Sequence, residues 1–289
     1  MLAELLRPPP HRGPLIAAGA VVLATGLAVG ELRIDADSLA PIWHFLALGV
    51  AGGITFALGL QAPNEGGRPP AYQSVLLATG WPLLYGGILA LFTVAGVTAL
   101  LSIALASALA AALAVWPALE RNSAISLLVA AIAGGVALGT AWTWLFDTEW
   151  LRWIALIYAA ALVLFSLVLR EPAPRHGEVL IDAAGLAVVF IGYVSYRDGA
   201  GGLWEVVLLG AGLGLTAFGA LDRSPGPGYL GVLNLIAFIA VAGRFWPIVL
   251  VAGGVLMLAA GLRPRRPLPP EPDPYRAGEA PLAARVDKP

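Results

Sequence analysis

Apolar residues fall in blocks long enough to cross a bilayer, which takes about 20 of them in helical form. The first block runs from Pro14 to Gly30 and stops at the polar turn ELRIDADS. The second runs from Leu39 to Leu60 and stops at QAPNEGGRPP, where Gly and Pro prevent continuation. Between Ser74 and Leu119 no charge occurs, which is room for two spans and predicts a break near Thr93–Val97. A fifth block (Ala124–Phe146) and a sixth (Trp150–Leu169) are divided by the short turn DTE. After the linker Arg170–Glu178 comes a pair of blocks ending at Leu221, and the loop DRSPGPG precedes a ninth at Tyr229–Ala242. A tenth, Phe245–Leu262, has Pro247 in its first turn, where a missing N–H costs nothing. The pattern therefore predicts an all-α polytopic transmembrane helix bundle of about ten spans.

Composition agrees. The 289 residues are 59% hydrophobic and 12% charged, against about a quarter charged in soluble domains. The organisation read from this is a short N-terminal segment (1–13), a helical membrane domain (14–262) and a Pro-rich tail (263–289) that cannot build a core. Pro8–Pro10 flank the first block and no convincing small-x-small cleavage site precedes the acidic turn at Glu31, so it reads as a retained span and not a cleaved leader. A net charge of -1 provides no field for nucleic acid, and the lack of cysteine excludes disulfide and thiol chemistry.

With ten spans, one set of helix ends carries Arg7, Arg12, Arg68, Arg121, Arg170, Arg175, Arg223, Arg263, Arg265 and Arg266. The other carries Arg33, Arg152, Arg197 and Arg244. The positive-inside rule then puts both termini in the cytoplasm, in a bacterial-type cytoplasmic membrane. Most tryptophans fall at the opposite interface in this arrangement, and Trp81 alone is deep.

A duplication is also legible. Trp43–Leu60 aligns without a gap on Trp204–Leu221, matching Trp43/Trp204, Gly49/Gly210, Gly53/Gly214, Thr55/Thr216 and Leu60/Leu221. Both copies leave from the same side, which implies parallel repeats.

Candidate chemistry is sparse. Motifs for nucleophilic, zinc or phosphate chemistry are missing, the only lysine is Lys288, and His11, His44 and His176 are scattered. No cofactor or metal is expected. The glycines at Gly26/Gly30, Gly49/Gly53, Gly135/Gly139 and Gly210/Gly214 have the small-x-x-x-small spacing of close helix packing. Ionisable groups in spans are costly and draw notice. Asp182 is placed about one turn inside the seventh span, where its own helix dipole favours it. Glu205 and His44 begin the eighth and second spans, and Asn234 is the strongly polar residue deep in a span, expected to bond between helices. Asp35, Asp37, Asp147 and Glu149 read as solvated loop charge. At about 100° per residue, His44 and Thr55 share a stripe opposite Gly49 and Gly53, and Glu205 and Thr216 repeat it opposite Gly210 and Gly214. These stripes are candidate cavity linings, with Asp182 and Asn234 as further candidates.

WPIVLVAGGVLML (Trp246–Leu258), echoed by WPLLYGGILAL (Trp81–Leu91), resembles the closing helices of Ala/Leu/Gly-rich bacterial polytopic membrane proteins of uncharacterised families. That resemblance implies a multi-pass membrane fold and no activity. The first expectation is a packing, accessory or scaffold protein, not an enzyme, whose partners are the lipid bilayer and a second copy or another membrane protein. The alternative is a carrier for a small neutral or weakly polar solute.

Overall fold

The structure, a computed structural model, describes residues 10–33, 39–63, 70–146, 148–222, 224–242, 251 and 254–255. The tenth predicted span lies largely outside the described residues, and the tail beyond 262 lies wholly outside them. Among the described residues the regular structure is helical throughout: α1 (Gly13–Arg33), α2 (Pro41–Gln61), α3 (Ala71–Val94), α4 (Ala99–Glu120), α5 (Ala124–Leu145), α6 (Leu151–Leu169), α7 (Pro174–Arg197), α8 (Leu203–Asp222) and α9 (Pro225–Val241). The first eight are long and apolar enough to cross a membrane, α6 together with the 3-10 turn Thr148–Trp150 before it, and α9 is a shorter apolar helix. The chain is thus a multi-pass membrane protein, all-helical among the described residues. It divides into unit 1 (Met1–Gly243), which contains every helix named above, and unit 2 (Arg244–Pro289).

The predicted break between the third and fourth spans falls where expected. The chain leaves α3 after Val94 and turns at Gly96, whose φ of 71° is a left-handed conformation open to glycine. Other boundaries shift. The seventh helix starts at Pro174 and not near Glu178, because a proline in the first turn has no N–H to lose and a preset φ. By the same logic Pro225 and Pro227 open α9, so four residues predicted as loop, Pro225–Gly228, are helical.

Within unit 1, α3 packs on α1, α2, α4 and α5, and α7 packs on α5, α6, α8 and α9. These two are the most enclosed spans, with 39% and 56% of their windows buried against 11% for α1, so they serve as hubs. Lipid tails are as apolar as leucine, so the helices are held by close contact and interhelical hydrogen bonds and gain little from apolar burial. The α2–α3 seam shows this: a Cβ on Gly52 would sit 2.8 Å from Leu83 C, and one on Gly80 3.0 Å from Phe56 N. The α8–α9 seam is built the same way, with Gly219 against Gly228. Alanines and Trp81 fill the space between α3, α4 and α5, and the Trp81 ring meets Phe56 edge-on at 4.8 Å.

Candidate functional site

The residues singled out by the sequence are best followed from α2. Its helix is not uniform: Pro41–His44 and Val50–Gln61 are α-helical, and Phe45–Gly49 between them is a π turn. A π turn carries an extra residue, so positions beyond it lag their expected angle by about one residue, roughly 100°. His44 lies just before that turn. Its Nδ1 is 2.6 Å from Oε2 of Glu31, near the end of α1, with the two side chains 17% and 29% exposed. Sequence spacing did not suggest this pair, because the two are thirteen positions apart and on different helices.

Thr55 lies beyond the π turn and faces α3. It is 2% exposed and donates its hydroxyl to Ala51 O at 2.8 Å. The corresponding Thr216 donates to Gly212 O at 2.7 Å, and its Oγ1 occupies the space a Cβ on Gly231 of α9 would need. Both threonines therefore sit in helix seams; Thr55 is turned away from the line of His44 by the π turn, while Thr216 stays within about 20° of Glu205 in a helix that has no such turn. Glu205 is half-buried in the first turn of α8 and folds back over Gly201.

Asp182 is eight residues past Pro174 (182 − 174), about two turns into α7 and beyond its own helix's N-terminal field. Its carboxylate instead lies at the start of α9, where a Cβ on Gly226 would come 2.6 Å from either oxygen. The expected dipole contact is replaced by one with a neighbouring helix. Asn234 is fully buried and donates to Gly185 O of α7 at 3.2 Å and to Leu230 O at 2.9 Å. It is an interhelical bond, as its depth in a span suggested.

The glycine pairs divide. Among the described residues nothing lies within 4 Å of a Cβ built on Gly26, Gly30, Gly53, Gly210 or Gly214, so these do not mark close helix contacts. Gly49 does meet Gly87 of α3, while Gly135 and Gly139 accept the side chains Tyr158 and Leu151 of α6 and not a helix backbone. The close seams run through Gly52, Gly80, Gly87, Gly212, Gly219 and Gly231. In the run GVAGG the four-residue rule picks Gly49 and Gly53 and passes over Gly52, the one that meets the α3 backbone most closely, so spacing alone does not choose the face.

Three of the spaces between helices, among the described residues, bear on these candidates. One of about 420 Å³ beside α1 and α2 is bordered by Gly26, Gly30, Trp43 and the His44–Glu31 pair. A second, of about 280 Å³ between α5, α6 and α7, is bordered by Gly135, Gly139, Thr140, Thr143 and Tyr158. Its hydroxyls are committed: Tyr158 to Ala131 O at 2.5 Å, Thr140 to Val136 O at 2.7 Å, Thr143 to Gly139 O at 2.8 Å. The third, of about 410 Å³, lies between α6, α7 and α8. Of the candidate linings only His44 borders any of these; Thr55, Thr216, Glu205, Asp182 and Asn234 border none. Asp35, Asp37 and Asp147 lie outside the described residues.

Fold and site together define a class, the multi-pass helical membrane protein. Comparison with protein-family models, with curated proteins and with solved structures found no match.

Proposed function

We propose that this protein is a packing or accessory component of a membrane, with no chemistry of its own and with polar residues that hold its helices to one another. One observation carries the reading: Thr55 and Thr216, the equivalent threonines of the aligned segments, both lie at a seam between a helix and its successor, Thr55 buried and Thr216 half-buried against Gly231. Asn234 serves the same purpose between α9 and α7. The lipid bilayer is the first partner, and a second copy or another membrane protein is the second; nucleic acid is not a partner.

The test uses the cysteine-free background. Thr55→Cys and Thr216→Cys are treated with a membrane-impermeant thiol reagent, beside Asp198→Cys in the exposed α7–α8 turn. The seam reading expects the turn to label and both threonine positions to stay unmodified. Labelling of either at the rate of the turn overturns it. The second reading, a carrier for a small neutral or weakly polar solute, is favoured by the space between α5, α6 and α7, whose polar groups are two threonines and a tyrosine.

The proposal extends to topology. The full chain has about ten spans, Phe245–Leu262 being the tenth, with both termini on the cytoplasmic side of a cytoplasmic membrane. The segments around α1–α2 and α7–α8 derive from a parallel duplication. The matched threonine seams support that origin, while α1 and α7 have diverged in use, one peripheral and the other a hub.

A further inference from the structure

Helices α6 and α8 both pack on α7, and between them a groove of about 410 Å³ runs along the bundle. Leu156 and Val163 of α6 form one wall, Ala211 and Gly214 of α8 the other, and Ala184 and Val188 of α7 the floor. Every lining side chain is aliphatic or aromatic. Gly214 opens onto it with nothing within 4 Å of a Cβ, so this glycine keeps the groove clear and brings no backbones together.

The two ends differ in charge. At the end of α6 nearer its C-terminus, Arg170 pairs with Asp222 at 3.0 Å and lies 5.9 Å over the ring of Phe218, itself a lining residue. The Arg170 charge is thus already matched by a carboxylate. At the other end Arg152 begins the stripe continued by Leu156, Ala159 and Val163 at helical spacing. Its guanidinium lies 5.4 Å over the ring of Trp204, which Trp153 braces edge-on at 5.1 Å. No carboxylate among the described residues pairs with Arg152, and its Nη1 is shut off from solvent without an acceptor. The residue as a whole is only half-buried, so the guanidinium's other N–H donors can meet an anionic oxygen, which gains a charge-assisted bond there. From Arg152 to Val163 the stripe covers eleven residues, about 16 Å of helix, which is close to half of the roughly 30 Å hydrocarbon core.

We propose that this groove is a binding site for one anionic phospholipid, with an acyl chain along α7 between α6 and α8 and phosphate oxygens accepting from the Arg152 guanidinium. The site is independent of the accessory reading above. The purified full chain is exchanged into mixed micelles of phosphatidylglycerol and phosphatidylcholine, and retained lipid is counted by native mass spectrometry. The wild type retains one phosphatidylglycerol in preference to phosphatidylcholine by about tenfold, the scale of one charge-assisted bond. Arg152→Gln loses the preference and still retains a lipid of either kind. Gly214→Phe fills the groove from an open position and retains neither; Ala211→Phe is the second filling variant should the first not fold. Inorganic phosphate in excess leaves the wild-type count unchanged, because the chain supplies part of the affinity. Equal retention of the two lipids by the wild type overturns the proposal, as do an unchanged preference in Arg152→Gln and displacement by phosphate alone.

Discussion

Gly52 and Gly53 are neighbours of identical chemistry with opposite duties. A Cβ on Gly52 runs into the backbone of Leu83 and Leu84, atoms that move only if α2 and α3 separate, while one on Gly53 meets nothing. Gly52→Ala is expected to destabilise by about 1–3 kcal/mol through overpacking. Gly53→Ala is expected to be neutral or to stabilise by up to about 1 kcal/mol, since alanine loses less backbone entropy in a helix. Denaturant unfolding of both variants in detergent checks the pair, and equal effects would mean the seam is misplaced. This is also where sequence reading stopped. The hydropathy pattern says that both glycines are in a span, and the four-residue spacing rule links Gly53 to Gly49 but gives Gly52 no glycine partner. Which stripe faces protein depends on α3, whose Gly80 and Gly87 are complementary in space but distant in sequence. Asn234 was legible for the opposite reason: a lone amide deep in an apolar span has few places to go but a carbonyl of a neighbouring helix.

At the scale of elements, the breaks were legible because turn chemistry is local. Gly96 and the run of prolines and glycines after Gln61 end helices by their own backbone preferences. Proline misled where it starts a helix, at Pro174 and Pro225, because the same residue is a breaker inside and a good first residue outside. The π turn at Phe45–Gly49 had no sequence signal, and it is the reason the expected line from His44 to Thr55 fails. It also makes a prediction. Deleting Ala47 removes the extra residue and lets α2 continue as plain α-helix, and ten α-helical steps turn from His44 to Thr55 as far as eleven steps through the π turn do. Both the Glu31–His44 contact and the Thr55 seam should therefore survive the deletion. Glu31→Cys and His44→Cys joined by a short bis-thiol reagent report this, with cross-linking at a similar rate in the parent and in the deletion. Loss of cross-linking in the deletion alone would show that Phe45–Gly49 does not carry one extra residue.

For the molecule as a whole, the two hubs set what topology must be true. Short turns join α3 to α4, α4 to α5, α6 to α7 and α7 to α8, so successive spans alternate in direction. The turns at 121–123 and 170–173 then share one side, and those at 95–98 and 198–202 share the other. Arg12, Arg121, Arg170 and Arg175 belong to the first side and Arg33, Arg152 and Arg197 to the second, a modest excess that grows when Arg7, Arg68 and Arg223 are added from the sequence. Lysine and arginine in short loops near span ends are retained on the cytoplasmic side during insertion, so the first side should be cytoplasmic. Glu171→Cys and Asp198→Cys lie in exposed turns on opposite sides of α7, with 24 residues of helix between them. In intact cells an impermeant thiol reagent should modify Asp198→Cys and spare Glu171→Cys until the membrane is permeabilised. The reverse pattern would invert the bundle and place Arg152 and its groove mouth in the cytoplasmic leaflet. Modification of both in intact cells would show that α7 does not cross the membrane, a result that its position as the most enclosed span would leave without explanation.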